Sequence, residues 1–261
     1  MYLYTHCSSN RVIWILEGLQ PEQKEAIEEI GFGSLLQLRG TKIDHGLCLW
    51  LVNNLNPYSY TLEVYNTCIN LLEKDIEFIL DLKGQGLRID MNKNINNKND
   101  LCGQYCDKKG HLPLVMLENQ IRENTDGGND FKVRFVLFVL GVLLCLTMKL
   151  FVKRLFLHFL EDTNSINKLN WAELVLSHLT HEIQEFKSNK QSGVFGCLFF
   201  FMVMSLMLII FYNEFGICYK MWGKLSICLC KLILQLFYYE HILVGKKNSL
   251  LWTRGCPRIC A

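Results

Sequence analysis

Nineteen consecutive residues, Val194 to Tyr212, carry no charge. A helix of that length can cross a bilayer, and in a water-soluble fold it has to be buried. A second apolar run, Phe135 to Met148, makes about four helical turns. Lys132, Arg134, Lys149, Lys153 and Arg154 flank it. It is too short to span a membrane and reads as a buried core helix. A chain of 261 residues, half of them hydrophobic, can build a core for both runs. The expected fold is mainly α and multi-helical, with at most a short strand near 58–65 and a long apolar helix near 194–212.

Charge narrows the function classes. A net charge of +2 supplies no basic footprint over the whole chain, so nucleic acid is not an expected partner. The apolar content excludes a disordered tail. Twelve cysteines would suit a disulfide scaffold in a short secreted chain. The N-terminal text MYLYTHCSSNRVIW lacks the pattern of an export signal. Cys48, Cys68, Cys145 and Cys197 lie in apolar text, where a free cysteine acts as a small hydrophobe. A reducing, intracellular setting is the expectation.

The local signals are mostly helical. Pro21 suits a first helical position, and Glu22 follows in the first turn. Gly31-Phe32-Gly33 breaks that helix, and Ser34 to Leu38 is a further short one. Asp44 is placed to cap a helix carrying Leu47, Leu51 and Leu55. Tyr58 to Tyr65 alternates like a strand. Asn70 with Glu73 has capping-box spacing before Ile76, Ile79 and Leu80. Asp90 to Gly110 is dense in Asn and Lys and reads as a linker. It separates an N-terminal part, 1–89, from a C-terminal helical part, 111–202. In the latter, Leu114 to Glu123, Phe131 to Leu144 and Lys149 to Leu160 are expected helices. Asn170-Trp-Ala-Glu173 again has capping-box spacing. Trp171, Leu174, Val175, Leu179, Ile183 and Phe186 then recur at helical spacing, the best amphipathic helix in the chain.

Chemistry-bearing patterns are sparse. Cys102-x3-Cys106-x4-His111 offers zinc-type ligands, but the spacing is loose and no second Cys/His pair lies beside it. These three are only weak metal candidates, and the reading is no metal. Cys256-x3-Cys260 is weaker. His178, His181 and Glu182 fall within about one helical turn without the H-E-x-x-H order. The amphipathic pattern assigns them to a solvated polar face. Gly84-Gln-Gly86 lacks the third glycine of a dinucleotide fingerprint and reads as a turn. Lys246, Lys247, Arg254 and Arg258 make a basic tail. No catalytic set and no cofactor site is expected.

Four blocks together resemble the aminotransferase-like plant mobile domain family, which is transposon-derived. They run from Ile30 to Tyr65, Leu72 to Ile89, Phe131 to Val152 and Leu169 to Lys187. The resemblance covers most of residues 11 to 200 and resumes at Leu236. It implies a mainly helical domain, a nuclear setting in a plant cell, and a role through an unidentified protein partner. Such domains also form the N-terminal region of ubiquitin-like (SUMO) protease genes. The resemblance therefore admits a second reading, a truncated protease gene product with its catalytic set beyond Ala261. A third reading is a small integral membrane protein anchored by 194–212. One departure is Leu146, where the family carries a proline, so a helix stop is missing.

The larger departure is an insert. Family members resemble a direct run from GCLFF into LFYYEHILVG, which 33 residues, Val203 to Gln235, interrupt here. The insert is rich in residues with U-rich codons, as a plant intron would be. Every Val codon begins GT, and Gln can be CAG, the two ends of a spliceable intron. Residues 203–235 therefore read as translated intron, with 236–261 a truncated continuation.

Overall fold

The computed structural model describes residues 3–38, 42–64, 67–91 and 101–205. Residues 1–205 form one compact unit. The expectations for 206–261, including most of the insert and the basic tail, lie outside the described residues.

The unit is mainly helical. Helix α1 (Ser9–Glu17) starts where the Ser8 hydroxyl accepts from the Arg11 N–H. Helix α2 (Pro21–Glu29) has Pro21 at its first position, and the Gln23 side chain accepts from the Gln20 N–H. A 3-10 turn, Gly33–Gln37, follows. Asp44 caps α3 (His45–Asn54), accepting from the Leu47 N–H at 2.9 Å. Strands β1 (Leu55–Asn56), β2 (Thr61–Val64) and β3 (Thr67–Asn70) make a small antiparallel sheet in that order. Leu55 pairs with Leu62, and Thr61 with Asn70. Helix α4 (Glu73–Leu80) opens with Asp75 accepting from the Leu72 N–H at 2.8 Å. After α5 (Leu101–Tyr105) come β4 (Leu112–Pro113), α6 (Leu114–Glu123) and α7 (Asn129–Val139). A π turn, Leu140–Leu144, extends α7. Strand β5 (Phe151–Val152) pairs antiparallel with β4. Then follow α8 (Leu155–Phe159), a 3-10 turn (Thr163–Lys168) and α9 (Trp171–Lys187).

Helix α7 is the centre of the core. Phe131, Phe135, Val136, Leu137, Phe138 and Val139 have no exposed surface, and Lys132 and Arg134 are paired with Glu29 and Asp130, so the helix is enclosed along most of its length. It packs on α6, α2 and the Thr163–Lys168 turn. Each buried Phe is worth about 1.5–3 kcal/mol relative to exposure. Helix α9 packs against α4. Its first residue, Trp171, is buried with its Nε1–H donated to Ile166 O at 2.9 Å and its ring edge-on to Phe32.

Several expectations change. The long apolar helix near 194–212 is not present as expected. Residues 193–197 are extended: Gly193 bridges Tyr4, and Gly196 bridges Cys145. Gly196 is needed there, because a Cβ would come within 2.8 Å of the Leu179 backbone. Helix resumes only at 198 and is described to 205, with its apolar side chains mostly buried. Among the described residues no helix is long and apolar enough to cross a membrane.

The expected helix at Lys149 to Leu160 is also corrected. Its first part is β5, held by β4 and by Leu114 N–H donating to Leu150 O at 3.0 Å, and only Leu155–Phe159 is helical. The missing proline at 146 does not fuse the helices, because the π turn ends at Cys145, which pairs with Gly196 instead of continuing. The strand expected at 58–65 becomes β2, with Tyr58 and Tyr60 in a turn. The start of α4 lies at Leu72 and Asp75, not at Asn70 and Glu73, because Asn70 stays in β3. The C-terminal half of the expected 90–110 linker holds α5. Its Tyr105 is buried, with the Arg134 guanidinium 4.9 Å over its ring.

Candidate functional site

A cleft of 450 Å³ opens between the turn after β1, the start of α4 and the first turns of α9. Its geometry begins with a crossing of two chain segments. Leu87 N–H donates to Lys168 O at 2.8 Å, and Asn170 N–H donates to Leu87 O at 2.9 Å. That exchange lays residues 86–88 beside the entry to α9. Gly86 permits it: its φ is +132°, and a Cβ would strike the Lys168 carbonyl.

The floor of the cleft is polar and internally paired. Asn170 Oδ1 accepts from the Glu173 N–H at 2.9 Å and so caps α9. Its Nδ2 donates to Glu73 Oε2 at 3.0 Å. Arg88 Nε meets Glu173 Oε1 at 2.7 Å. Of the apolar residues that line it, Leu72 is 53 % exposed and Tyr60 37 %, and the exposed Tyr58 and Leu87 adjoin the lining residues Ser59 and Arg88 along the chain. Tyr60 sits at φ +56°, its carbonyl accepting from the Leu71 N–H at 2.7 Å. A paired polar floor beside exposed aromatic and aliphatic side chains can seat the apolar side chain of another polypeptide. A second cleft, 480 Å³, lies between α1 and α6. There the Arg122 guanidinium already covers the Trp14 ring.

The sequence candidates fall elsewhere. Cys102 and Cys106 are brought together, with Sγ atoms 2.8 Å apart. The Cys106 thiol is pushed up to about 12 by burial and by Cys102 beside it. His111 does not join them. Its ring stacks on Phe151 at 4.8 Å, and its N–H donates to Asp107 Oδ1. Among the described residues no three His, Cys, Asp or Glu side chains are placed to hold a metal. Cys7, Cys48, Cys145 and Cys197 are buried, which raises the pKa of each. Cys68 is exposed on β3, contrary to its apolar context.

His178 corrects the solvated-face reading. It is 6 % exposed, and its Nε2 lies 3.0 Å from Leu146 O and 3.2 Å from Phe195 O. Carbonyls only accept, so Nε2 carries the proton. Burial first, then nearby Lys153 and His181, hold its pKa down at about 4, although the two carbonyl bonds act to raise it. Glu182 Oε1 lies 4.0 Å from His178 Nε2, whereas His181 is exposed, and the three do not form one metal-holding group. The turn expected at Gly84-Gln-Gly86 is a bend at Gln85 and Gly86, with Gly84 in irregular chain.

Sequence reasoning missed Tyr60, Leu72, Arg88 and Glu173 as one neighbourhood. Nothing in their spacing signals it, because they meet only through the crossing at Leu87 and Asn170.

A family model described as a domain of unknown function (DUF8566) matches residues 5–202. No curated protein and no solved structure matches the chain.

Proposed function

We propose that this chain, which belongs to the DUF8566 family of domains, is a non-catalytic interaction domain of plant mobile, transposon-derived type. In this reading it works in the nucleus and holds a polypeptide partner at the cleft beside Tyr60 and Leu87. The observation that carries the reading is the exposed apolar lining of the cleft, Tyr60 and Leu72, with exposed Tyr58 and Leu87 next to lining residues in the chain, beside polar groups that are already paired. A floor that is satisfied internally leaves binding to apolar contact, and exposed apolar patches of this kind mark protein contacts. The resemblance blocks supply the family type and the nuclear setting. We read Val203 to Gln235 as translated intron within the same proposal. The family match ending at Met202 supports that boundary.

The test is proximity labelling in plant nuclei with the full chain and with a Leu72→Arg, Leu87→Arg double variant. Both changes are at exposed positions, so the fold should survive them. A partner labelled by the native chain is then purified and its affinity measured. The reading expects the double variant to bind that partner at least about tenfold more weakly. Equal affinity for both chains overturns the cleft assignment. Labelling confined to cytoplasmic proteins overturns the nuclear one.

A further inference from the structure

We propose that Cys102 and Cys106 form a reversible dithiol that exchanges with low-molecular-weight disulfides of the glutathione class and closes to an intrachain disulfide. Their sulfurs lie 2.8 Å apart, about 0.8 Å longer than an S–S bond. Both side chains are partly exposed, whereas the thiols of Cys7, Cys48, Cys145 and Cys197 are buried. Access is open beside them: a Cβ built on Gly103 meets nothing within 4 Å. The turn that carries the pair is fixed in place. Tyr105 is buried under Arg134, and Gln104 Nε2 donates to Asp130 Oδ1 at 3.0 Å. Cys106 N–H still donates to Cys102 O at 3.0 Å, so the two residues stand one helical turn apart.

The exchange balances without a metal. One thiol of the pair loses its proton, and the thiolate attacks a sulfur of the external disulfide. That S–S bond breaks and the leaving thiolate takes up a proton. The second thiol, deprotonated in turn, attacks the mixed disulfide. It forms the Cys102–Cys106 bond and releases the other external thiol. Two protein thiols are oxidised, and one external disulfide is reduced to two thiols. The second step is intramolecular between sulfurs already in contact, which favours it over release of the mixed disulfide. Side chains one helical turn apart have Cβ atoms about 5–6 Å apart, and a disulfide wants about 3.5–4.5 Å. Closure must therefore tighten the end of α5. Cys106 lies just past that end, where the backbone can follow. A bond that needs such movement is easily reduced again.

The experiment uses the folded full chain incubated with glutathione disulfide. Free thiols are blocked, the chain is denatured, newly exposed thiols are blocked with a second reagent, and the protein is cut with trypsin. Residues 99–108 leave as one peptide containing both cysteines. The expected product is that peptide two hydrogens lighter and carrying no blocking group, restored by dithiothreitol. Exposed Cys68, which has no second thiol beside it among the described residues, serves as the comparison and goes no further than a glutathione adduct. Cys106→Ser and Cys102→Ser each keep one glutathione on the remaining cysteine. The inference is overturned if peptide 99–108 takes two blocking groups after oxidation, if the native pair keeps a glutathione adduct as the single variants do, or if either cysteine is found bonded to another cysteine. Second-reagent label on the four buried cysteines reports that the chain was folded during oxidation.

Discussion

The Nε2–H of His178 is shared between two main-chain carbonyls, Leu146 O at 3.0 Å and Phe195 O at 3.2 Å. One imidazole thus ties α9 both to the turn after α7 and to the extended segment 193–197. Leu146 and Phe195 are both buried, where an unpaired carbonyl would be costly, and the ring satisfies them.

A pH dependence follows. In the unfolded chain His178 takes its proton near the ordinary value of 6.5, and in the fold only near 4. Above pH 6.5 both states are neutral and the residue makes no pH-linked contribution. Between pH 6.5 and 4 the unfolded state binds the proton and the native state does not, so stability falls as pH falls. The full effect is about 3 kcal/mol. Urea titrations at pH 7.5 and pH 4.5 check it. His178→Gln, which cannot titrate, should lose a large part of the difference between the two midpoints. An unchanged difference would place the acid sensitivity elsewhere.

Asn170 does two jobs, capping α9 and holding Glu73. Asn170→Ala removes both, at an expected cost of about 1–2 kcal/mol. Asn170→Asp keeps the cap acceptor but sets a second carboxylate against Glu73, 3.0 Å from the present Nδ2. It should recover only part of the loss at pH 7 and more at pH 4, where carboxylates take up protons. Thermal melts of the two variants at the two pH values separate the cap from the pairing.

Two glycines should respond with opposite sign. Gly86→Ala forces a side chain onto the Lys168 carbonyl at a φ of +132° and should cost more than about 2 kcal/mol. Gly103→Ala enters open space inside α5 and should stabilise by about 0.5–1 kcal/mol. Denaturant midpoints decide both. A neutral Gly86→Ala would mean that the crossing at Leu87 gives way easily.

The translated-intron reading makes a claim about the message. Sequencing transcripts across the codons for Phe200 to Phe237 should find a dominant form lacking those for Val203 to Gln235. Abundant polysome-bound message retaining them would sink it.

Much of the helical skeleton was legible. Leu114–Glu123 and Trp171–Lys187 start and stop where periodicity and caps put them, and Asp44 and Asn170 cap as their spacing requires. These signals are local, so a single sequence carries them. The errors sit where a distant partner decides. Residues 149–153 look helical by composition but pair with β4, and 194–197 look like a helix but bridge Tyr4 and Cys145. His178 lies on the nominally polar side of α9, and only the segments that cover it from elsewhere make it a buried group. The cleft was illegible for the same reason: Leu87 and Asn170 are joined by main-chain bonds that no side-chain pattern records.

The bridge between Tyr4 and Gly193 sets an order of events on the ribosome. The chain that ends up beside Tyr4 is made roughly 190 residues later, about 10–40 s at typical elongation rates. For that interval the segment around Tyr4 lacks its native neighbour, and α7, once made, adds apolar surface before residue 193 follows. Nascent-chain holding factors have their longest opportunity on this domain before residue 193 appears, and a ribosome that stalls earlier releases a fragment that cannot close.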